Sequence, residues 1–293
     1  MNKHVLIIGG CGYVGSLLTT KLKEDYYVDT VDLEWYGDKT HKNNFLVDFH
    51  NLNEDFYRKY QVIILLAGHS SVKMCLDNRA SMFNNNVRNF VDLLDKLTDD
   101  QTFIYASSSS VYNENKTFTN NYDVSKSQID EYAKLSAKKY FGLRFGTVSG
   151  CSPNFRIDSM INRMVYDALI KKKVTCFNPD IKRPILNIVD LCAGIRKIIQ
   201  LGVFGNRGIY NMSSFNTTPR DVAKHVSNYL SVDLDVHEGW SDDVYDFQMD
   251  STRFSEVFDF TFSDDIFAIT DSIVTNLDKV CYVGVRNAFR LYQ

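Results

Sequence analysis

The stretch "GGCGYVG" at residues 9–15 follows the apolar run "HVLII" (4–8) and leads into a segment whose apolar residues, Val14, Leu17, Leu18 and Leu22, recur at helical spacing. Glycines gather where a strand hands over to a helix for two reasons. A tight turn needs backbone angles that a Cβ disfavours, and a group lying against the main chain needs the space that a Cβ would fill. Two registers fit, Gly10-x-Gly12-x-x-Gly15 and Gly9-x-x-Gly12-x-x-Gly15. In either, the free N–H groups of the helix opening at Tyr13 and Val14 would face a pyrophosphate. Asp32 closes the second expected strand twenty residues after Gly12, where a carboxylate accepts from the ribose hydroxyls of a dinucleotide. Its charge repels a 2′-phosphate, and Leu33 and Glu34 supply no arginine, so the expected cofactor is NAD rather than NADP.

Working outward, strand and helix alternate. Strands are expected at 27–32, 44–48, 62–68, 102–108 and 140–146, and helices at 13–24, 81–97 and 122–139. "VIILLAG" (62–68) is continuously apolar, as a strand covered on both faces should be. The pattern predicts an α/β domain over 1–150, a doubly wound parallel sheet of the Rossmann kind. Beyond it, 156–173 and 217–230 read as helices, and 183–189 as a strand leading into a helix over 190–201. A smaller α+β substrate lobe is expected from 151–293, mainly 151–182 and 206–293, with 183–205 returning to the first domain.

At 293 residues, with 44% hydrophobic and 24% charged residues and a net charge of −3, the chain is composed like a globular protein with a substantial core. The run "KKK" at 171–173 reads as a solvated helix end, so no nucleic-acid partner is expected. No apolar stretch reaches the ~20 residues that cross a bilayer. The first strand begins at once, and the six cysteines lie far apart without metal spacing. Free thiols and a cytoplasmic location are the expectation.

The chemistry centres on "YDVSK" (122–126). Tyr122 and Lys126 are four apart, on one face of the helix they begin. An ammonium beside a phenol favours the phenolate, which can take a proton from an alcohol as hydride leaves its carbon. A second Tyr-x-x-x-Lys, "YNENK" (112–116), lies in a stretch with loop composition, so the chemistry is assigned to Tyr122. Upstream, "ASSSSVY" (106–112) ends the fifth strand at the carboxyl edge of the sheet, where ligands of such folds bind.

Together, "GGCGYVG", Asp32, "LLAG" (65–68), "NNNV" (84–87), "SSSSVY", "YDVSK", "LRFGTVSG" (143–150) and "RPILNIVDL" (183–191) resemble the extended short-chain dehydrogenase/reductase family, the NAD-dependent nucleotide-sugar epimerases and dehydratases. The resemblance implies that Gly9, Gly12 and Gly15, with Tyr13 and Val14, form the phosphate turn, and that Asp32 meets the ribose. Asp48 and Phe49 would border the adenine, and Leu66, Ala67 and Gly68 the dinucleotide. Ser108 matches the catalytic Ser/Thr, Tyr122 the base, and Lys126 the lysine that also binds nicotinamide ribose. Ser70, Ser109, Ser110 and Arg183 fall at substrate positions, Arg183 matching an arginine that meets the diphosphate. A homodimer through helices 81–97 and 122–139 is a further implication.

Members that dehydrate a hexose carry an acid and a glutamate directly after the catalytic Ser/Thr. Here Ser109 and Ser110 stand there, which argues against dehydration. The NAD-type Asp32 and the serines resemble 4-epimerases acting through a transient keto-sugar. A ketoreductase or a decarboxylase of the same family is the alternative, and a non-catalytic dinucleotide sensor or scaffold the reading from another class. The chain departs from the family between Tyr112 and Tyr122, which is short. It has Ser70 where 4-epimerases often carry a lysine. It also lacks a second diphosphate arginine over 231–249, leaving Arg156, Arg163 and Arg220 as substitutes. His69 is read as a structural histidine rather than a catalytic one, and Trp35 and Trp240 equally as surface or core aromatics or as base-stacking platforms.

Overall fold

A computed structural model describes residues 3–37, 44–112, 120–239, 245–279 and 281–282. Trp240 lies outside the described residues. Seven strands form one sheet in the order Gly208–Met212, Lys139–Phe145, Thr102–Ser108, Val62–Leu65, His4–Ile8, Tyr27–Asp32 and Asn44–Leu46. Every neighbouring pair in it is parallel. Val5 and Ile7 point to one face and pack with Leu18, Leu191, Ile195 and Phe254. Leu6 and Ile8 point to the other and pack with Phe90, Leu94, Ile129 and Ala133. This period-two split explains why the strands read as apolar without alternation: helices cover both faces.

The chain leaves the first strand toward Tyr27–Asp32 and later returns on its other side at Val62–Leu65. The crevice at this reversal, at the carboxyl ends of the strands, is where such sheets bind ligands.

Two expectations are corrected. Gly208–Met212 belongs to the central sheet, paired with Lys139–Phe145, and the helix Thr252–Phe258 buries Phe254 and Phe258 against that sheet's core. The first domain therefore takes back part of 206–293, because a five-residue strand of alternating burial leaves little trace in sequence. The expected helix 81–97 is three pieces: Arg79–Met82, widened π turns at Phe83–Arg88, and Asn89–Lys96. The second lobe has its own core, in which Ile161, Val165 and Ala168 meet Val222, Val226, Ile269 and Ile273.

Candidate active site

At the crevice the glycine turn is fixed by sterics. Gly9 has φ +91° and its N–H donates to Val31 O at 2.8 Å; a Cβ there would lie 2.5 Å from Ala67 N. A Cβ on Gly15 would strike the Gly9 carbonyl oxygen, and one on Gly10 the Thr30 side chain. Gly12 differs, since its Cβ would find only Gly9 O at 3.4 Å, an ordinary contact. Fold packing demands the others, while Gly12 leaves room on the cavity side. It is also the N-cap of Tyr13–Leu22 and offers no side-chain cap to that helix, so the first N–H groups are left for a ligand.

Every expected site residue lines one cavity of about 1300 Å³: the glycine turn, Asp32, Asp48, Phe49, Leu66, Ala67, Gly68, Ser70, Ser108, Ser109, Ser110, Tyr122, Lys126 and Arg183. Asp32 accepts from Cys11 N at 2.9 Å and Glu34 N at 2.7 Å, while burial pushes its pKa up. Asp48 caps the turn Phe49–Asn51 and stands 3.1 Å from His50 Nδ1. The Tyr13 hydroxyl is committed to the second lobe, donating to Gly150 O at 2.8 Å. Only its remaining surface faces the cavity.

Ser108 ends the fifth strand. Its Oγ lies 2.8 Å from Ser110 Oγ and accepts from Ser110 N at 3.2 Å, and it lines the cavity together with Tyr122. Lys126 is buried and donates to Ala106 O at 2.8 Å, with Nζ 5.9 Å from the Tyr122 ring centre. Burial pushes the lysine down to about 8. Here the sequence expectation is corrected. The Tyr122 pKa is raised, not lowered, because burial outweighs the opposing pull of the neighbouring Ser108 hydroxyl and of the Arg156 charge.

Of the three arginines expected as substitutes, only Arg156 lines the cavity. Its Nε and Nη2 hold Asp158 at 2.6 and 3.1 Å. Arg163 is spent on Asp167, and Arg220 on Asp180 and Glu238. His69 is buried, its ring nitrogens 3.3 Å from Ser81 Oγ and Asn85 Nδ2. Burial lowers its pKa, and it lines the cavity.

Sequence reasoning missed three contributors. Asn86, within the π turns, accepts from His69 N at 2.8 Å and donates to His69 O at 3.1 Å. Asn154 reaches from the second lobe to Cys11 O at 2.7 Å. Tyr245 lines the cavity beside Arg183. Only "NNNV" carried a signal, through the resemblance; the other two are joined to the site by long-range contacts.

Among known proteins, Protein CapI of Staphylococcus aureus is 29% identical over 181 residues, 50% of this chain and 54% of that protein. The matched stretch thus spans about half of that relative. The fold is similar to MoeE5, solved with UDP-glucuronic acid and NAD, at TM-score 0.81 and 19% identity over 94% of this chain and 99% of that one. It is likewise similar to UDP-N-acetylglucosamine 4-epimerase from Methanobrevibacter ruminantium M1, at TM-score 0.82 and 18% identity over 94% and 99% of the two chains. Residues 5–213 match the NAD dependent epimerase/dehydratase family, a span that contains the glycine turn, Asp32, Ser108, Tyr122, Lys126 and Arg183. The chain belongs to that family.

Proposed function

We propose that the protein is an NAD-dependent nucleotide-sugar epimerase, acting at C4 through a transient keto-sugar. One observation carries this reading: Ser108, Tyr122 and Lys126 share a cavity with the open backbone at Gly12 and with Arg183. The residues present fit NAD, because the cradle at Gly12 has the room a pyrophosphate needs and Asp32 supplies a ribose acceptor. When bound, NAD supplies a hydride acceptor and, in its oxidised form, a positive charge.

The chain supplies the rest. Tyr122 exchanges the proton of the sugar hydroxyl, and Ser108, which lines the same cavity, shares that proton's path. Arg156 is the cation that opposes the effect of burial on Tyr122, and Lys126 stands with its Nζ 5.9 Å from the ring centre. Arg183 answers to the substrate diphosphate; its own pKa is lowered by burial, which Asp246 opposes, so an anion there offsets the cost of burying the charge. Ser109 and Ser110, both buried, offer hydroxyls to the sugar and lack the acid and base that dehydration needs.

The test is to denature the purified protein, identify the nucleotide released, and then incubate native protein with UDP-, GDP-, CDP- and dTDP-sugars. The reading predicts retained NAD and interconversion of C4 epimers without added coenzyme. Stoichiometric consumption of NADPH would indicate a ketoreductase instead, and carbon dioxide release a decarboxylase.

A further inference from the structure

The motif "YDVSK" contains a residue that the chemistry above does not use. Asp123 is fully buried, directly after Tyr122. Its carboxylate accepts from the Tyr245 hydroxyl at 2.9 and 3.0 Å and from Asn120 Nδ2 at 2.8 Å. Asn120 also donates to the Tyr245 oxygen at 2.7 Å, and its Oδ1 accepts from Asp123 N at 3.1 Å. The three side chains therefore close a ring of bonds between the first turn of Asn121–Leu135 and a segment more than 120 residues away.

That segment is fastened at its other end to Arg183. Arg183 Nη1 donates to Tyr245 O at 3.1 Å, with the guanidinium 5.8 Å from the Tyr245 ring centre. Phe247 N donates to Lys182 O at 3.1 Å, and Lys182 N to Asp246 Oδ1 at 2.6 Å. Tyr122, Tyr245, Phe247 and Arg183 all face the cavity. A buried carboxylate is held only where donors satisfy it. At Asp123 those donors join the wall that carries Arg183 to the turn that carries Tyr122.

We propose that Asn120, Asp123 and Tyr245 form a clasp across the sugar end of the cavity, with Asp123 and Tyr245 as positioning residues. The clasp sets the separation between the arginine that answers to the diphosphate and the phenol that moves the proton, and it closes the wall while the sugar is in its keto form. This role rests on the epimerase reading above. If the wall opens, the keto-sugar escapes, and the two electrons it lost stay on the coenzyme.

Four proteins test it: wild type, Tyr245→Phe, Asp123→Asn and the double variant, each checked for retained coenzyme. Tyr245→Phe keeps the ring and the main-chain bond to Arg183 and removes only the hydroxyl. Each single variant is expected to lose about tenfold in kcat/KM, the size of one hydrogen bond to a charged group. The share of coenzyme recovered in reduced form after turnover should rise several-fold. The double variant should be no worse than the worse single, since both remove one contact. Single variants with wild-type kcat/KM and no gain in reduced coenzyme overturn the proposal, as do losses that multiply in the double. Should wild type interconvert no nucleotide sugar, the functional reading fails by itself. The urea midpoints of the same four proteins then decide the clasp: non-additive shifts support it and additive shifts overturn it.

Discussion

Tyr122 and Lys126 show how far a local pattern carries at the scale of one residue. Their spacing on a single helical face is visible in five letters, because i,i+4 geometry is local. Their protonation is not, because burial is decided by distant parts of the chain that pack on their helix, the turns at Phe83–Arg88, the helix Val72–Asp77 and the strand Thr102–Ser108. Burial holds the Lys126 ammonium at about 8, against an ordinary 10.5. Below about 8 both folded and unfolded chains carry that proton, and the folded chain bears the full desolvation penalty. Between about 8 and 10.5 the unfolded chain binds the extra proton, so this group's contribution to stability rises with pH. Lys126→Met is therefore expected to abolish turnover yet raise unfolding free energy at pH 7, by on the order of 3 kcal/mol. The gain over wild type should shrink as pH approaches 10.5, measured by urea unfolding across that window. A variant less stable than wild type at pH 7 would show that the lysine is a structural asset and not a desolvated functional group.

At the scale of elements, the glycine turn was legible because all but one of its glycines answer a steric demand, and the two registers proved not to compete. Gly9, Gly10 and Gly15 are fixed by Ala67, Thr30 and the Gly9 carbonyl, respectively. Gly12 alone has space. Two substitutions should separate these roles. Gly15→Ala forces a backbone collision and is expected to cost about 1–3 kcal/mol or more, read by thermal melting of the coenzyme-free protein. Gly12→Ala should melt near wild type and bind NAD at least tenfold more weakly, read by calorimetry. Equal affinity in Gly12→Ala would mean that nothing needs the room there. The central strands were read from their apolar runs, but Val72–Asp77 and the strand Gly208–Met212 were not. The helix 81–97 was read as continuous because its apolar spacing carries no mark of the widened turns at Phe83–Arg88.

For the whole molecule, the two halves are interleaved, and the site is made at their seam. Asn154, in the second half, donates to Cys11 O at 2.7 Å and to Tyr36 O at 3.2 Å. Ser152 Oγ likewise donates to Tyr13 O at 2.6 Å. Such contacts span more than a hundred residues and leave no trace in a single sequence, which is why the glycine turn was readable and its brace was not. Asn154→Ala should leave the Cys11 and Tyr36 carbonyls short of a donor and weaken NAD binding by about 1–3 kcal/mol. That loss would appear as a smaller rise in melting temperature on adding NAD, and an unchanged rise would detach the second half from the coenzyme site. The account as a whole depends on one phenol working inside the shared cavity. The most direct measurement is single-turnover and steady-state kinetics of Tyr122→Phe on the nucleotide sugar that the wild type interconverts, alongside its NAD content. A loss of about 10²-fold or more with NAD retained is the predicted result; turnover at the wild-type rate would contradict the mechanism.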